Sequence, residues 1–368
     1  MKHSKITFAK GIGFRKELNR RVEAYFQTEN IRERDNWAMY IKSAIIVTWM
    51  ISAWLFVLFG PESMMIKLIG CVILAFGMVA FAFNIGHDAN HGSYSSNKWV
   101  NRIFGFALDC LGASSYLWRY SHNILHHTNT NISEYDFDIN GEGLVRLAPD
   151  QEYRPFHRFQ HIYSWFLYCF LSFHWFIEDI HVILIRRTYY SHVIPSPKWT
   201  DVVSLFAFKI FWLTYVIGIP LYLGYTPLQV FVGVLITHMI FGLLVGLVFR
   251  SAHVVDKADF LSPHPETGRI DDEWAICQVR TTVDFAPNNK VLNWYRGGLN
   301  YQVIHHLFPH ISHVHYPKLA KIVQEVCDDF GIEYRVHQTF REAIHSNYRW
   351  LKALGVPPDK VTLTSVIN

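Results

Sequence analysis

His87 and His91, in "NIGHDANH", stand four residues apart. On a helix that spacing puts both imidazoles on one face, about 5–6 Å apart at Cβ, which suits two ligands of one metal. His122 and His126, in "RYSHNILHHTNTN", repeat the spacing, and the adjacent His127 points roughly 100° away, toward a second metal. "GGLNYQVIHHLFP" carries another adjacent pair, His305 and His306, with Gln302 nearby. His253, in "FRSAHVVD", offers an eighth imidazole. Eight ligands supply two metals with about four imidazoles each, and a thiolate-free imidazole shell suits iron or copper better than a pair of buried zincs. Asp136 and Asp138, in "EYDFDIN", are candidates to orient imidazole N–H groups, with a solvated loop as the alternative.

Elements must bring these groups together. The chain is 51% hydrophobic and 16% aromatic, a composition that, with long apolar runs, points to a membrane protein. Residues 41–60 and 64–86 form one pair of runs long enough to cross about 30 Å of hydrocarbon. Residues 202–224 and 227–249 form another. Lys209 is expected to snorkel from a segment end to the headgroups. Residues 161–185 are apolar but contain His161, His174, Glu178, Asp179 and His181. They are expected to form an interfacial or cap-packed helix, because several ionisable groups in hydrocarbon are costly. That choice leaves an even number of crossings between the second and third clusters, so all clusters share one side. The first 36 residues are rich in Lys and Arg, whereas the turns at 61–63 and "GYTP" have none; the termini and the clusters are therefore expected in the cytoplasm.

The expected fold is an all-α integral membrane protein, with four transmembrane helices in two hairpins and a helical cytoplasmic cap holding a di-metal site. The segments are 1–40 (N-terminal), 41–86 (first hairpin), 87–201 (cap, first two clusters), 202–249 (second hairpin) and 250–368 (cap, third cluster). "PKLAKIVQEVCDDFGI" is expected as a helix starting near Pro317 and ending at Gly331.

Other chemistry finds little footing. A net charge of +4 suggests no nucleic-acid partner. The five cysteines form no C-x-x-C pair, which argues against disulfide scaffolds, zinc ribbons and iron–sulfur clusters. No secretory signal peptide is expected at the N-terminus. "EDIH" (Glu178, His181) and "EAIH" (Glu342, His345) match the short Glu-x-x-His motif of carboxylate di-iron bundles, a rival metal reading. His238 lies within an apolar run and is expected to be structural, as are His161, His174 and His192. Asn131 heads a glycosylation sequon that a cytoplasmic position makes meaningless.

The clusters resemble the three histidine boxes of the membrane fatty acid desaturases: "HDANH" for H-D-x-x-H, "HNILHH" for H-x3-H-H, and "QVIHH" for Q-x-x-H-H. The last form is typical of front-end and linoleoyl-CoA-type acyl desaturases. The resemblance runs from about residue 40 to "FREAIHSNYRWLKALG". It implies a di-iron (Fe2+) centre held by His87, His91, His122, His126, His127, His253, His305 and His306, with no catalytic residue beyond these ligands. It also implies removal of two hydrogens from a long-chain acyl group, CoA- or lipid-linked, with dioxygen as co-substrate. Ile304 stands where many front-end enzymes have Glu, and no fused haem domain with an HPGG signature is present. No flavin or nucleotide loop is visible either, so electrons are expected from a separate ferredoxin or cytochrome-type donor. A hydroxylase or other oxygenase acting on the same chain is the alternative; a zinc-dependent hydrolase or receptor, or a metal transporter, is the alternative from another class. An apolar channel beside the irons, roofed partly by Trp118 and Trp294, is also expected.

Overall fold

The computed structural model describes residues 6–189 and 192–357. Among them, four helices are long and apolar enough to cross a membrane: Trp37–Phe59, Met64–His91, Trp199–Tyr222 and Pro227–His253. In chain order, α1 is Phe14–Thr28, α2 Trp37–Phe59, α3 Met64–His91 and α4 Arg119–His126. Then follow α5 Pro155–Cys169, α6 Leu171–Arg186, α7 Trp199–Tyr222 and α8 Pro227–His253. Further along the chain lie α9 Trp274–Thr281, α10 Gln302–Leu307, α11 Tyr316–Asp329 and α12 Phe340–Leu354. The chain divides into two compact units.

One unit comprises Arg34–Tyr120 and Trp165–Gly246. Asn36 caps α2, its side chain accepting from the Ala38 N–H at 2.8 Å. Ile41, Ile45, Phe59, Met65 and Ile69 are exposed on α2 and α3, an apolar surface of the kind that a membrane or a protein partner covers. The helix over the apolar run 64–86 also carries the first histidine pair. It runs on through a π-helical stretch, Ala82–His87, to His91, and Gly92 ends it at φ +72°, a conformation that glycine adopts without strain. Residues 87–120 and 165–201, expected in the cap, cluster with the apolar helices.

The expected single helix over 161–185 is also corrected. It breaks at Phe170, and α5 and α6 meet at a 70° bend. Gly242 of α8 lies against this break: a Cβ there would stand 2.6 Å from the Tyr168 carbonyl oxygen. Lys209 does not snorkel. It is 4% exposed, and its Nζ donates to Asp179 at 2.9 Å and to the Gly112 carbonyl at 2.6 Å, above the Phe176 ring. A buried carboxylate on the neighbouring helix offers the ammonium a closer partner than distant headgroups. His238 is buried among Phe173, Trp212 and Phe241, with Nδ1 3.2 Å from Ser172 Oγ.

The other unit comprises the described parts of Met1–Glu33, Ser121–Ser164 and Leu247–Asn368. Its core forms where the α1 stripe Phe14, Leu18, Val22 and Phe26 meets Val303, Ile304 and Leu307 of α10 and the apolar face of α11. The four-residue spacing of that stripe keeps all four side chains on one face of the helix. Ile304, where the front-end pattern has Glu, is wholly buried in this core. The helix expected from Pro317 is present as α11, and Gly331 follows it at φ +66°. Short parallel pairs join Thr7–Phe8 to Arg269–Ile270 and Asp284–Phe285 to Val336–His337. An antiparallel pair, Thr188–Tyr189 with His192–Val193, belongs to the first unit.

Candidate metal centre

α4, α8 and α10 carry five of the eight predicted ligands within one unit, and His127 directly follows α4 in the same unit. α8 has 27 residues, about 40 Å at 1.5 Å per residue. It is therefore longer than a hydrocarbon core of roughly 30 Å, and His253 is its last residue. α10 is pinned from behind: Val303, Ile304 and Leu307 enter the core, while His305 and His306 face the other ligands.

The ligand atoms of His126, His253 and His306 all lie within 4.8 Å of one another, and the same holds for His127, His305 and His306. His122, His126 and Asp138 form a third such group. His126, His253 and His306 are at most 1% exposed. Their Nε2 atoms are buried without a hydrogen-bond partner, a costly state for polar atoms unless something ligates them. The two triads share His306, and each is a group that could hold a metal ion.

The α4 geometry departs from the expected α-helical register. Because Arg119–His126 is π-helical, with bonds five residues apart, His122 and His127 come onto one side. Their Nε2 atoms are 3.3 Å apart. His122 still stacks on His126, ring centroids 5.0 Å apart.

The second nitrogens are held. His126 Nδ1 donates to Asp136, both oxygens at 2.9 Å, and His122 Nδ1 donates to Asp138 at 2.9 Å. Such carboxylates fix the tautomer that leaves Nε2 for a metal. Burial opposes charge on His126, but Asp136 and Asp138 outweigh it and hold its pKa above the ordinary value. Burial first, and then neighbouring imidazoles, push His306 well below its ordinary value, so it is neutral and ready to ligate.

Sequence reasoning missed the partner of His306. Gln278 of α9 accepts from His306 Nδ1 at 2.9 Å, and Thr130 Oγ1 lies 2.9 Å from the same Gln278 oxygen. Gln302 does not fill this place: its side-chain oxygen is buried without a partner, and its neighbour Val303 donates its backbone N–H to Asp284. Asn131 was missed as well. At φ +55° its side chain donates to the carbonyls of His253, Asp259 and Thr281, while its backbone N–H donates to Asp136. Wholly buried, it is no glycan acceptor. Its signal was legible as the polar run "HHTNTN"; Gln278 had none. Phe249, one turn before His253, stacks on it at 4.7 Å.

His87 and His91 lie in the unit of the apolar helices, ring centroids 4.6 Å apart as their spacing requires. Trp118 packs edge-on against both, at 5.5 and 5.3 Å. Trp294 is 40% exposed on Lys290–Tyr295. The carboxylates of the rival motif are engaged elsewhere: Glu178 pairs with Arg186, and Glu342 accepts the Gln338 N–H at the start of α12. Neither joins a metal-ligating group among the described residues.

Residues 62–338 match the family model described as fatty acid desaturase. The chain is 54% identical to the sn-1 linoleoyl-lipid 6-desaturase of Arthrospira platensis, covering 97% of this chain and 96% of that protein. It is 50% identical to the protein of the same name from Synechocystis, covering 95% and 98%. An acyl-lipid (8-3)-desaturase of Physcomitrium patens is 33% identical over 92% of this chain and 71% of its own length. Buried imidazoles backed by carboxylates, four helices fit to cross a membrane, and near-full-length likeness to desaturases agree: the chain belongs to the fatty acid desaturase family, and it is an enzyme that desaturates fatty acids.

Proposed function

We propose that this protein is an oxygen-dependent di-iron desaturase that introduces a double bond at position 6 of a linoleoyl group carried at sn-1 of a membrane lipid. The observation that carries the metal reading is the buried triad His126, His253 and His306, whose Nε2 atoms have no protein partner. Two relatives at 50% identity or more, both named sn-1 linoleoyl-lipid 6-desaturase, support the substrate. We assign His87, His91, His122, His126, His127, His253, His305 and His306 as iron ligands. Termini and boxes face the cytoplasm, where a separate ferredoxin or cytochrome-type protein delivers electrons.

When bound, two irons with dioxygen and two external electrons supply an oxidant strong enough to remove hydrogens from an unactivated carbon chain. The protein's part is to hold and orient. Asp136 and Asp138 keep Nδ1 of His126 and His122 protonated, and Gln278 does so for His306, so each Nε2 faces inward. Asn131 ties the α8 terminus to the loop after α4, so that His253 and His126 keep their distance. Phe249 covers His253 and keeps water from that side.

Expression in a host with linoleoyl lipids, followed by fatty acid profiling and metal analysis of the purified protein, tests the reading. The expected result is an acyl product two hydrogens lighter, with the new double bond at position 6, and about two irons per chain. A product carrying an added oxygen, or protein holding zinc alone, would overturn it.

A further inference from the structure

α10 carries His305 and His306 but has only six residues, Gln302–Leu307, too few to stand as a helix without the rest of the fold. Its first N–H groups have no partner inside the helix. No side chain of its own caps them: the N-cap residue is Tyr301, whose hydroxyl donates elsewhere, to the Pro287 carbonyl at 2.5 Å. The cap comes instead from 19 residues before Val303. Asp284 Oδ1 accepts the Val303 N–H at 2.9 Å, and the same carboxylate accepts the Gln302 N–H. Tyr334 donates its hydroxyl to Oδ2. Asp284, Gln302 and Val303 are all buried, so these N–H groups cannot turn to water instead.

The residue that bears this carboxylate is itself tied down. The Asp284 N–H donates to the Arg335 carbonyl at 3.1 Å and the Ala286 N–H to the His337 carbonyl at 2.8 Å, along the parallel pair of Asp284–Phe285 with Val336–His337. The Phe285 N–H donates to the Asn300 carbonyl at 2.9 Å. Val303, Ile304 and Leu307 enter the apolar core, and this decides which face of α10 turns toward the other imidazoles. Apolar contact is non-directional, so it does not fix how far a short helix sits along its axis. Directed hydrogen bonds at the N-terminus do. A metal site must hold its ligands within about 0.5 Å of the working geometry, and His305 lies only two residues past Val303. We infer that Asp284, tethered by Tyr334, is a positioning residue that sets the axial placement of α10 and with it the His305 and His306 imidazoles. It acts through the backbone of Gln302 and Val303, not through an imidazole. The inference rests on the assignment of His305 and His306 as iron ligands.

Full-length protein in nanodiscs tests it with two readouts: hydrogen–deuterium exchange over Gln302–Leu307, and Fe2+ affinity in anaerobic competition with a chelator. Asp284→Ala removes the acceptor. It should raise exchange over this segment and weaken iron binding about tenfold, the order expected when a residue that orients a ligand is lost. Asp284→Asn keeps an oxygen for the Val303 N–H and offers its amide N–H to the Tyr334 oxygen, so it should rescue both readouts. Tyr334→Phe leaves the carboxylate on α10 without its tether and should weaken iron binding less, about threefold; it carries the test if Asp284→Ala does not fold. Leu351→Ala empties a buried position on α12 of the same unit. It should lower the melting temperature and leave both readouts as in the parent, which separates positioning from general destabilisation. Parent-like exchange over Gln302–Leu307 in Asp284→Ala would overturn the inference. So would equal iron loss in Asp284→Asn or Leu351→Ala, or parent-like iron binding in Tyr334→Phe. A parent protein that binds no Fe2+, with exchange still raised in Asp284→Ala, would overturn the iron reading and leave the placement of α10 by Asp284 standing.

Discussion

Gln278 Oε1 stands 2.9 Å from Nδ1 of His306, although 28 residues separate the two in the chain. An amide oxygen can only accept, so His306 carries its proton on Nδ1 and presents Nε2 as a lone pair. Partners of this kind typically change metal affinity by about 10- to 100-fold. Gln278→Leu should therefore lower iron content and turnover by that order, while Gln278→Glu, which keeps an acceptor, retains most of both. Metal analysis beside a turnover assay checks this; full iron loading in Gln278→Leu would refute the role.

Asp136 and Asp138 should differ in weight. Asp136 is wholly buried and also accepts the backbone N–H groups of Asn131 and Asp138. Asp138 has one-fifth of its side chain exposed. Asp136→Asn should cost both iron affinity and thermal stability, and Asp138→Asn iron affinity alone, by about tenfold. Equal melting losses for the two variants would contradict this division.

The Lys209–Asp179 pair offers a packing test. Lys209→Met leaves a carboxylate buried without its cation, a change that typically costs about 3–5 kcal/mol, whereas replacing both partners by apolar residues is often neutral. The double variant Lys209→Met with Asp179→Leu should recover most of the stability lost by Lys209→Met. Thermal unfolding in one detergent, compared across the cycle, reads this. A double variant no more stable than Lys209→Met would show that the pair does not act as a unit.

Asp284 predicts a pH dependence. Burial pushes its carboxyl up to about 7, against hydrogen bonds from Tyr334 and the N–H groups of Val303 and Gln302. The folded state thus holds a proton that the unfolded chain releases near the usual pKa of about 3.9. Stability from this group is full below pH 4 and falls as pH rises toward 7, by about 1.4 kcal/mol per pH unit at most. Asp284→Asn should flatten that decline between pH 5 and 7. An unchanged slope in denaturant unfolding across this range would rule the group out.

Spacing alone determined a good deal. Four apolar runs appear as four helices fit to cross a membrane, and i, i+4 histidines at 87 and 91 stand side by side, because hydrophobic length and helical period are local properties. The order of the three boxes was equally legible, since each is a short motif. Other features were decided only by the tertiary structure. The π-helical stretch in α4 brought His122 beside His127, which an α-helical reading sends apart. Lys209 found Asp179 on another helix instead of the headgroups, and the 161–185 segment bent at Phe170 against α8. Gln278, Thr130 and Asn131 are ordinary polar residues in the sequence. Gln278 became the partner of His306, Thr130 bonds to Gln278, and Asn131 ties backbone carbonyls to the Asp136 loop, because buried polar groups must be satisfied by whatever partner the packed chain brings near, and that neighbour is chosen by the fold as a whole.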